Sequence, residues 1–154
     1  MRVGIVSDTH GLLRPEVAPA LVGVAEIIHL GDVGNASILK SLEKIAPVHA
    51  VRGNVDRYGR CAELPQTDVL IYQGHYIYLL HNLAELSLDP VAAKFSAVLF
   101  GHTHQPLIQH KKGVLYFNPG SCGPRRFSLP VTIGMLTFAS GSEVQAEILD
   151  LECK

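Results

Sequence analysis

The sequence predicts an α/β fold of two packed mixed β-sheets flanked by helices. Short apolar runs closed by Gly, Asp or His read as buried strands. In the first third these runs alternate with helical patterns, which gives β-α-β-α-β, and later they come in pairs around turn signals, which gives hairpins. An αβ first half followed by hairpins suits two sheets face to face with helices outside. At 154 residues the chain suits one domain, 1–154, with no linker, repeat or low-complexity stretch.

The first run, VGIVSDTH, predicts a strand that ends on Asp8 and His10. Residues 14–25 carry Pro15 and Pro19 and suit a short or broken helix before a second strand at 26–30. The 35–46 segment is the better helix: Asn35 or Ser37 caps it, Ile38, Leu39, Leu42 and Ile45 share a face, and Pro47 ends it. A third strand follows through residue 51. Two apolar runs between 68 and 80 flank Gln73-Gly74, a hairpin turn, and the second delivers His81. Ser87 or Asp89 with Pro90 predicts a short helix, since Pro is tolerated at the first helical position. The strand 97–100 then releases His102 and His104. Hairpins are expected at 107–117 around Lys111-Lys112-Gly113 and at 131–151 around Ser140-Gly141-Ser142. The Pro- and Gly-rich 119–130 loop is expected to fold back over the site.

Composition narrows the functions. With 47% hydrophobic and 18% charged residues, disorder is disfavoured. A formal net charge of −1 gives no field for an extended nucleic acid, because nonspecific affinity comes from Lys and Arg on phosphates. No apolar stretch approaches the ~20 residues of a membrane span. Cys61, Cys122 and Cys153 lack the paired spacing of a zinc knuckle or redox motif and read as free thiols of a reducing compartment. With the opening residues already forming a strand rather than a signal peptide, a cytoplasmic location is expected.

Five apolar runs stop at residues able to bind a metal: Asp8 and His10, Asp32, Asn54, His81, and His102 and His104. In open α/β sheets ligands collect beyond the carboxyl ends of strands, so these seven donors are expected to converge. Asp-x-His and His-x-His send both side chains to one side of a strand end. Gly31, Gly53 and Gly101 adjoin donors, where a residue without Cβ allows a sharp turn. Mixed nitrogen and oxygen donors without thiolate favour borderline divalent ions over Ca.

The motifs DTH, GDV, GNVD, a lone His after a strand, GHTH and the Asn118-Pro119-Gly120-Ser121 loop resemble the calcineurin-like metallophosphoesterase superfamily, and within it the small bacterial and archaeal phosphodiesterase branch. The resemblance implies a four-layer sandwich. It implies one metal on Asp8, His10, Asp32 and His104, and a second on Asp32, Asn54, His81 and His102, with Asp32 shared. Two divalent ions are implied, Mn foremost with Fe, Zn or Ni as alternatives. The reaction implied is hydrolysis of phosphodiesters by attack of a metal-bridging hydroxide. Two divalent ions against two carboxylates leave about +2, or about +1 with a bound hydroxide, which suits a phosphate ester.

Two departures stand out. Val55 occupies the position after the GN motif where many superfamily phosphatases carry His, which removes a proton donor and points to esters with acidic leaving groups or to protonation through metal-bound water. Asn82 stands where relatives often show Gly and is expected to narrow the approach to the second metal. Asn118, Arg125 and Arg126 are candidate substrate contacts, since an Arg fork clamps phosphate oxygens. Asp56 either orients a ligand from behind or caps the next turn. His29, His49, His75 and His110 read as ordinary sheet or loop residues, Cys122 as an unassisted thiol, and the Lys111-Lys112 pair as a soluble hairpin tip.

The expected substrate is a small phosphodiester or nucleotide-like ester, and exposed hairpin edges permit a homo-oligomer. The alternatives are a phosphomonoesterase or nucleotide phosphatase, a nuclease, which the charge balance weakens, and a noncatalytic protein-binding scaffold like the retromer subunit of this superfamily.

Overall fold

The computed structural model describes residues 1–152. Ten strands form two five-stranded mixed sheets. The first contains β1 (Arg2–Val6), β2 (Glu26–His29), β3 (Val48–Ala50), β9 (Thr132–Thr137) and β10 (Gln145–Asp150), in the order β10-β9-β1-β2-β3. Strands β1, β2 and β3 run parallel, and β9 pairs antiparallel with β1, matching Ile5 to Gly134. The second contains β4 (Thr67–Tyr72), β5 (His75–Leu80), β6 (Ala97–Leu99), β7 (Leu107–Lys111) and β8 (Val114–Asn118), in the order β4-β5-β6-β8-β7. All three expected hairpins form. Strand β6 inserts between two of them and pairs parallel with both β5 and β8.

The period of two along each strand explains the layers. Val3, Ile5, Ile28 and Leu30 face Ile77, Leu79, Leu99 and Phe117 across the sheet interface. The other face of the first sheet, with Val6 and Ile27, packs on α1 (Val17–Ala20), α2 (Ala36–Glu43) and α3 (Gly59–Ala62). The Asn35 side chain accepts a hydrogen bond from the Ser37 amide and caps α2, while Ile38, Leu39 and Leu42 are buried. This helix stops at Glu43, earlier than the expected residue 46; Ile45 and Ala46 continue only as a turn on the Leu42 carbonyl before Pro47.

The second sheet's outer face carries Tyr78, Leu80, Val98, Phe100 and Val114. Leu83, Leu86, Leu88 and Phe95 cover it from a largely irregular segment that begins with a 3-10 turn, Leu83–Glu85. The helix expected after Pro90 does not form. Asp89 caps Val91, but Lys94 takes φ 63° and the amides of Lys94 and Phe95 bond to Val91 and Pro90, a Schellman closure that ends the turn as soon as it starts.

No described helix is long and apolar enough to cross a membrane. Cys61 and Cys122 are free and buried, as expected of structural thiols. Cys153 lies outside the described residues.

Candidate metal centre

The carboxyl ends of β1, β2, β3, β5 and β6 deliver the predicted donors, and six of the seven gather as two adjoining groups: Asp8, His10 and His104, and Asp32, His81 and His102. His10 Nε2 lies 3.8 Å from Asp8 Oδ1, 3.6 Å from Asp32 Oδ2 and 3.3 Å from His104 Nε2. His104 Nε2 is 3.4 Å from Asp8 Oδ1. His81 Nε2 is 3.3 Å from Asp32 Oδ2 and 3.9 Å from Asp8 Oδ1. Donors about 2.1 Å from a tetrahedral cation lie about 3.4 Å from one another, so these separations are those of a coordination shell. Asp32 Oδ2 stands between His10 and His81 and therefore borders both groups. The seventh donor, Asn54, is exposed and shares a cavity wall with His81.

In Asp8, Asp32 and His81, hydrogen bonds turn one side-chain atom away and leave the other for the centre. Asp8 Oδ2 accepts from the Ser7 hydroxyl at 2.6 Å and the His102 amide at 3.1 Å. Its Oδ1 is buried without a hydrogen-bond partner. Asp32 Oδ1 accepts from the Val55 amide at 3.0 Å, which frees Oδ2. His81 Nδ1 donates to the Leu30 carbonyl at 2.6 Å, so in the neutral ring Nε2 carries the lone pair, and that atom too is buried without a hydrogen-bond partner. A buried carboxylate oxygen and imidazole nitrogen without partners are costly unless a cation completes them. The facing Nε2 atoms of His10 and His104 set two lone pairs against each other unless a proton or cation lies between. These residues fit divalent metal ions.

The backbone is strained at the same places. Asp8 (φ 57°), His10 (46°), Asp32 (54°), His102 (74°) and His104 (62°) all adopt the left-handed region. That conformation is uncommon for residues with a Cβ and persists only where the surroundings over-determine it. Gly31, at φ 101°, makes the sharp turn expected of it. Gly53 and Gly101 serve differently, by close approach: a Cβ on Gly53 would lie 2.1 Å from the Asp32 amide nitrogen, and one on Gly101 2.1 Å from Ser7 Oγ.

Charge follows geometry. Burial works to raise the Asp32 pKa, but His81, the Val55 amide and His10 outweigh it and hold the carboxyl below its usual range. Burial likewise opposes protonation of His81, and the Asp32 and Asp8 carboxylates overcome it and push the pKa up. Cys122 is driven the other way, its thiol raised to about 12 by burial, so it stays protonated and is no nucleophile.

Three supports lie behind the donors. Asp56 is buried and accepts from the amides of Val33, Gly34 and Gly53, tying the GDV loop to the GN loop. This resolves its role in favour of positioning. His29, read from sequence as an ordinary sheet residue, is fully buried. The Thr9 hydroxyl donates to the Val33 carbonyl at 2.8 Å and therefore accepts from His29 Nε2 at 3.0 Å. His29 Nδ1 then accepts from the Gly31 amide at 3.1 Å, which fixes the neutral tautomer. Burial lowers its pKa to about 4, against the pull of Asp8 and Asp56. The signal was present in EIIHLGD: a polar residue inside an apolar strand must satisfy both ring nitrogens. The third support is Ser121, whose hydroxyl donates to the Asp8 carbonyl at 2.9 Å.

The 119–130 loop divides in two. Residues 121–123 are buried against the ligand loops, whereas 124–128 are exposed. Asn118 is fully buried: its amide donates to the Gly101 carbonyl and Thr103 Oγ1 at 3.1 Å each and accepts from Gly120 at 2.9 Å. In place of the expected substrate contact, it holds the GHTH loop. Arg125 pairs with Glu152 and donates to the Leu129 carbonyl, and Arg126 is exposed beside it. Asn82, expected to narrow the second metal's approach, lines a cavity of about 180 Å³ with Asn54 and His81. A larger cavity of about 480 Å³ lies among the hairpin turns at the opposite end, near His75, His110 and Glu143, and touches none of the predicted donors.

Residues 1–141 match the calcineurin-like phosphoesterase superfamily domain, and the chain belongs to that superfamily. It is 32% identical over 162 residues to a probable metallophosphoesterase of Methanothermobacter thermautotrophicus, a match covering 97% of this chain and 92% of that protein. It is 29% identical over 161 residues to phosphodiesterase YfcE of Escherichia coli (strain K12), covering 88% and 87%. Among solved structures, zinc-complexed Vps29 from Entamoeba histolytica shares the fold with a TM-score of 0.75 at 21% identity, covering 99% of this chain and 100% of that one.

Proposed function

We propose that this protein is a dinuclear metal-dependent phosphodiesterase acting on small diesters. The observation that carries the reading is Asp32 Oδ2 lying 3.6 Å from His10 and 3.3 Å from His81, between two donor groups. Asp8, His10, Asp32 and His104 would hold one ion; Asp32, Asn54, His81 and His102 would hold the other, with Mn foremost and Fe, Zn or Ni also compatible with the donor set. When bound, two divalent ions acidify water and offset charge on the phosphoryl oxygens.

The chain's own residues supply orientation. The Leu30 carbonyl and the Val55 amide fix which atoms of His81 and Asp32 face the donor cluster. Val55, about half exposed, offers no proton where a His would, which favours diesters with acidic leaving groups. A net charge of −1 supports a small diester over an extended nucleic acid. The phosphodiesterase name of the Escherichia coli relative agrees with this reading.

The test is chelation followed by single-metal reconstitution, with p-nitrophenyl phosphate and bis(p-nitrophenyl) phosphate compared. Turnover should vanish with chelator, return with two ions per chain by elemental analysis, and favour the diester by about tenfold or more in kcat/KM. Preference for the monoester would make the protein a phosphomonoesterase. Two bound ions without turnover of either ester would make it a scaffold.

A further inference from the structure

The cavity of about 180 Å³ beside Asn54 and His81 has a composition that the metal chemistry does not require. Arg52, Gln66, Asn82 and Glu85 also line it, so its wall is mostly polar. The chain places them deliberately. Asn82 caps the 3-10 turn by accepting from the Ala84 amide at 3.0 Å, and the Glu85 amide bonds back to the Asn82 carbonyl at 3.0 Å, which holds the two residues at one end of the cavity. Arg52 follows β3, and its backbone amide bonds to the Pro65 carbonyl at 2.8 Å, which brings neighbouring Gln66 to the same wall. One Arg52 nitrogen, Nη1, is taken by the Ala62 carbonyl at 3.0 Å. Among the described residues neither Arg52 nor Glu85 has an ion-pair partner, although both border one small space.

We propose that this cavity is the subsite for the alcohol portion of the diester, and that it selects a polyhydroxylated alcohol such as glycerol or a pentose. Size comes first: pockets for drug-sized ligands run to about 300–1,000 Å³, so this one takes a single small moiety and not a whole nucleotide. Charge comes next. A second phosphate would meet the Glu85 carboxylate, and a purely apolar group would find no apolar side chain to pack on among the lining residues. Hydroxyls satisfy both kinds of partner, because they donate to a carboxylate, as a ribose does to an acidic side chain, and accept from guanidinium and amide N–H groups. The proposal rests on the phosphodiesterase reading.

Three p-nitrophenyl diesters with one leaving group test it: the n-propyl ester, its dihydroxy counterpart the glyceryl ester, and the ribos-5-yl ester. The metal-reconstituted full chain should prefer at least one polyol ester over the propyl ester by about tenfold in kcat/KM, about 1.4 kcal/mol. The better of the two identifies the alcohol. Glu85→Gln should bring that ratio to near one, and Gln66→Ala should lower it; both residues are exposed, so the fold survives either change. Equal turnover of all three esters by the wild type, or a ratio untouched by both substitutions, overturns the subsite while leaving the phosphodiesterase reading intact. If no ester is hydrolysed, the parent reading fails and the subsite falls with it.

Discussion

Both ends of the sheets use left-handed backbone, for opposite reasons. At the hairpin end, Gln73-Gly74 (φ 50° and 82°) and Lys112-Gly113 (50° and 80°) form two-residue turns whose twist matches the strands they join. They are exposed, and the strained position is half relieved by glycine. At the donor end, five of seven predicted donors hold positive φ with a full side chain, and Asp8, Asp32 and His104 are buried as well. Each such residue costs about 1 kcal/mol or more. The hairpin end is shaped for pairing strands. At the donor end, strain accompanies the gathering of side chains from four strand ends, those of β1, β2, β5 and β6, into two adjoining groups.

Asp32→Asn should sharpen the contrast most, since it removes charge from both donor groups at once. We expect kcat/KM to fall about a thousandfold or more and metal content to drop, read by steady-state kinetics and elemental analysis. Full metal content and full rate would break the shared-ligand assignment. Next comes a pair of glycines. Gly53→Ala drives a Cβ to 2.1 Å from the Asp32 nitrogen and 2.3 Å from Oδ1, so chelated protein should lose about 1–3 kcal/mol in urea titrations and bind metal more weakly. Gly113→Ala meets nothing within 4 Å and should cost only the strain of φ 80°, about 1 kcal/mol, with metal affinity intact. Equal effects at the two ends would erase the distinction.

A further effect, confined to acid pH, comes from His29. His29 is neutral when folded, its pKa lowered by burial from the ordinary 6.5 to about 4. Between those values the unfolded chain takes up a proton that the folded one refuses. The contribution is therefore fully present above about pH 6.5 and erodes as pH falls toward 4, by an amount on the order of 3 kcal/mol. His29→Gln should flatten that acid slope in chelated protein, as followed by urea midpoints from pH 4 to 7. An unchanged slope would mean that the histidine is not held neutral.

The donor end was the more legible of the two in sequence. A strand that must be buried and then release a polar pair leaves a local signature, so Asp8, His10, Asp32, His81, His102 and His104 could be read one run at a time. His29 escaped because one of its two partners, the Thr9 hydroxyl, comes from the neighbouring DTH loop and not from its own run. Asn118, Arg125 and Arg126 were grouped by their place in one loop, yet burial assigned Asn118 to the GHTH loop and a carboxylate from the far end of the chain captured Arg125.

By itself the sequence determined the strands, the hairpins and where along the chain the candidate donors fall, because apolar periodicity and turn chemistry are local properties of the chain. Only the tertiary structure decided that β6 pairs parallel between β5 and β8, that β9 joins β1, and that Arg52, Gln66, Asn82 and Glu85 share one cavity. Those are contacts between segments far apart along the chain. They depend on which buried faces pack together and on how sheet register places loop ends, and neither is encoded within any single run.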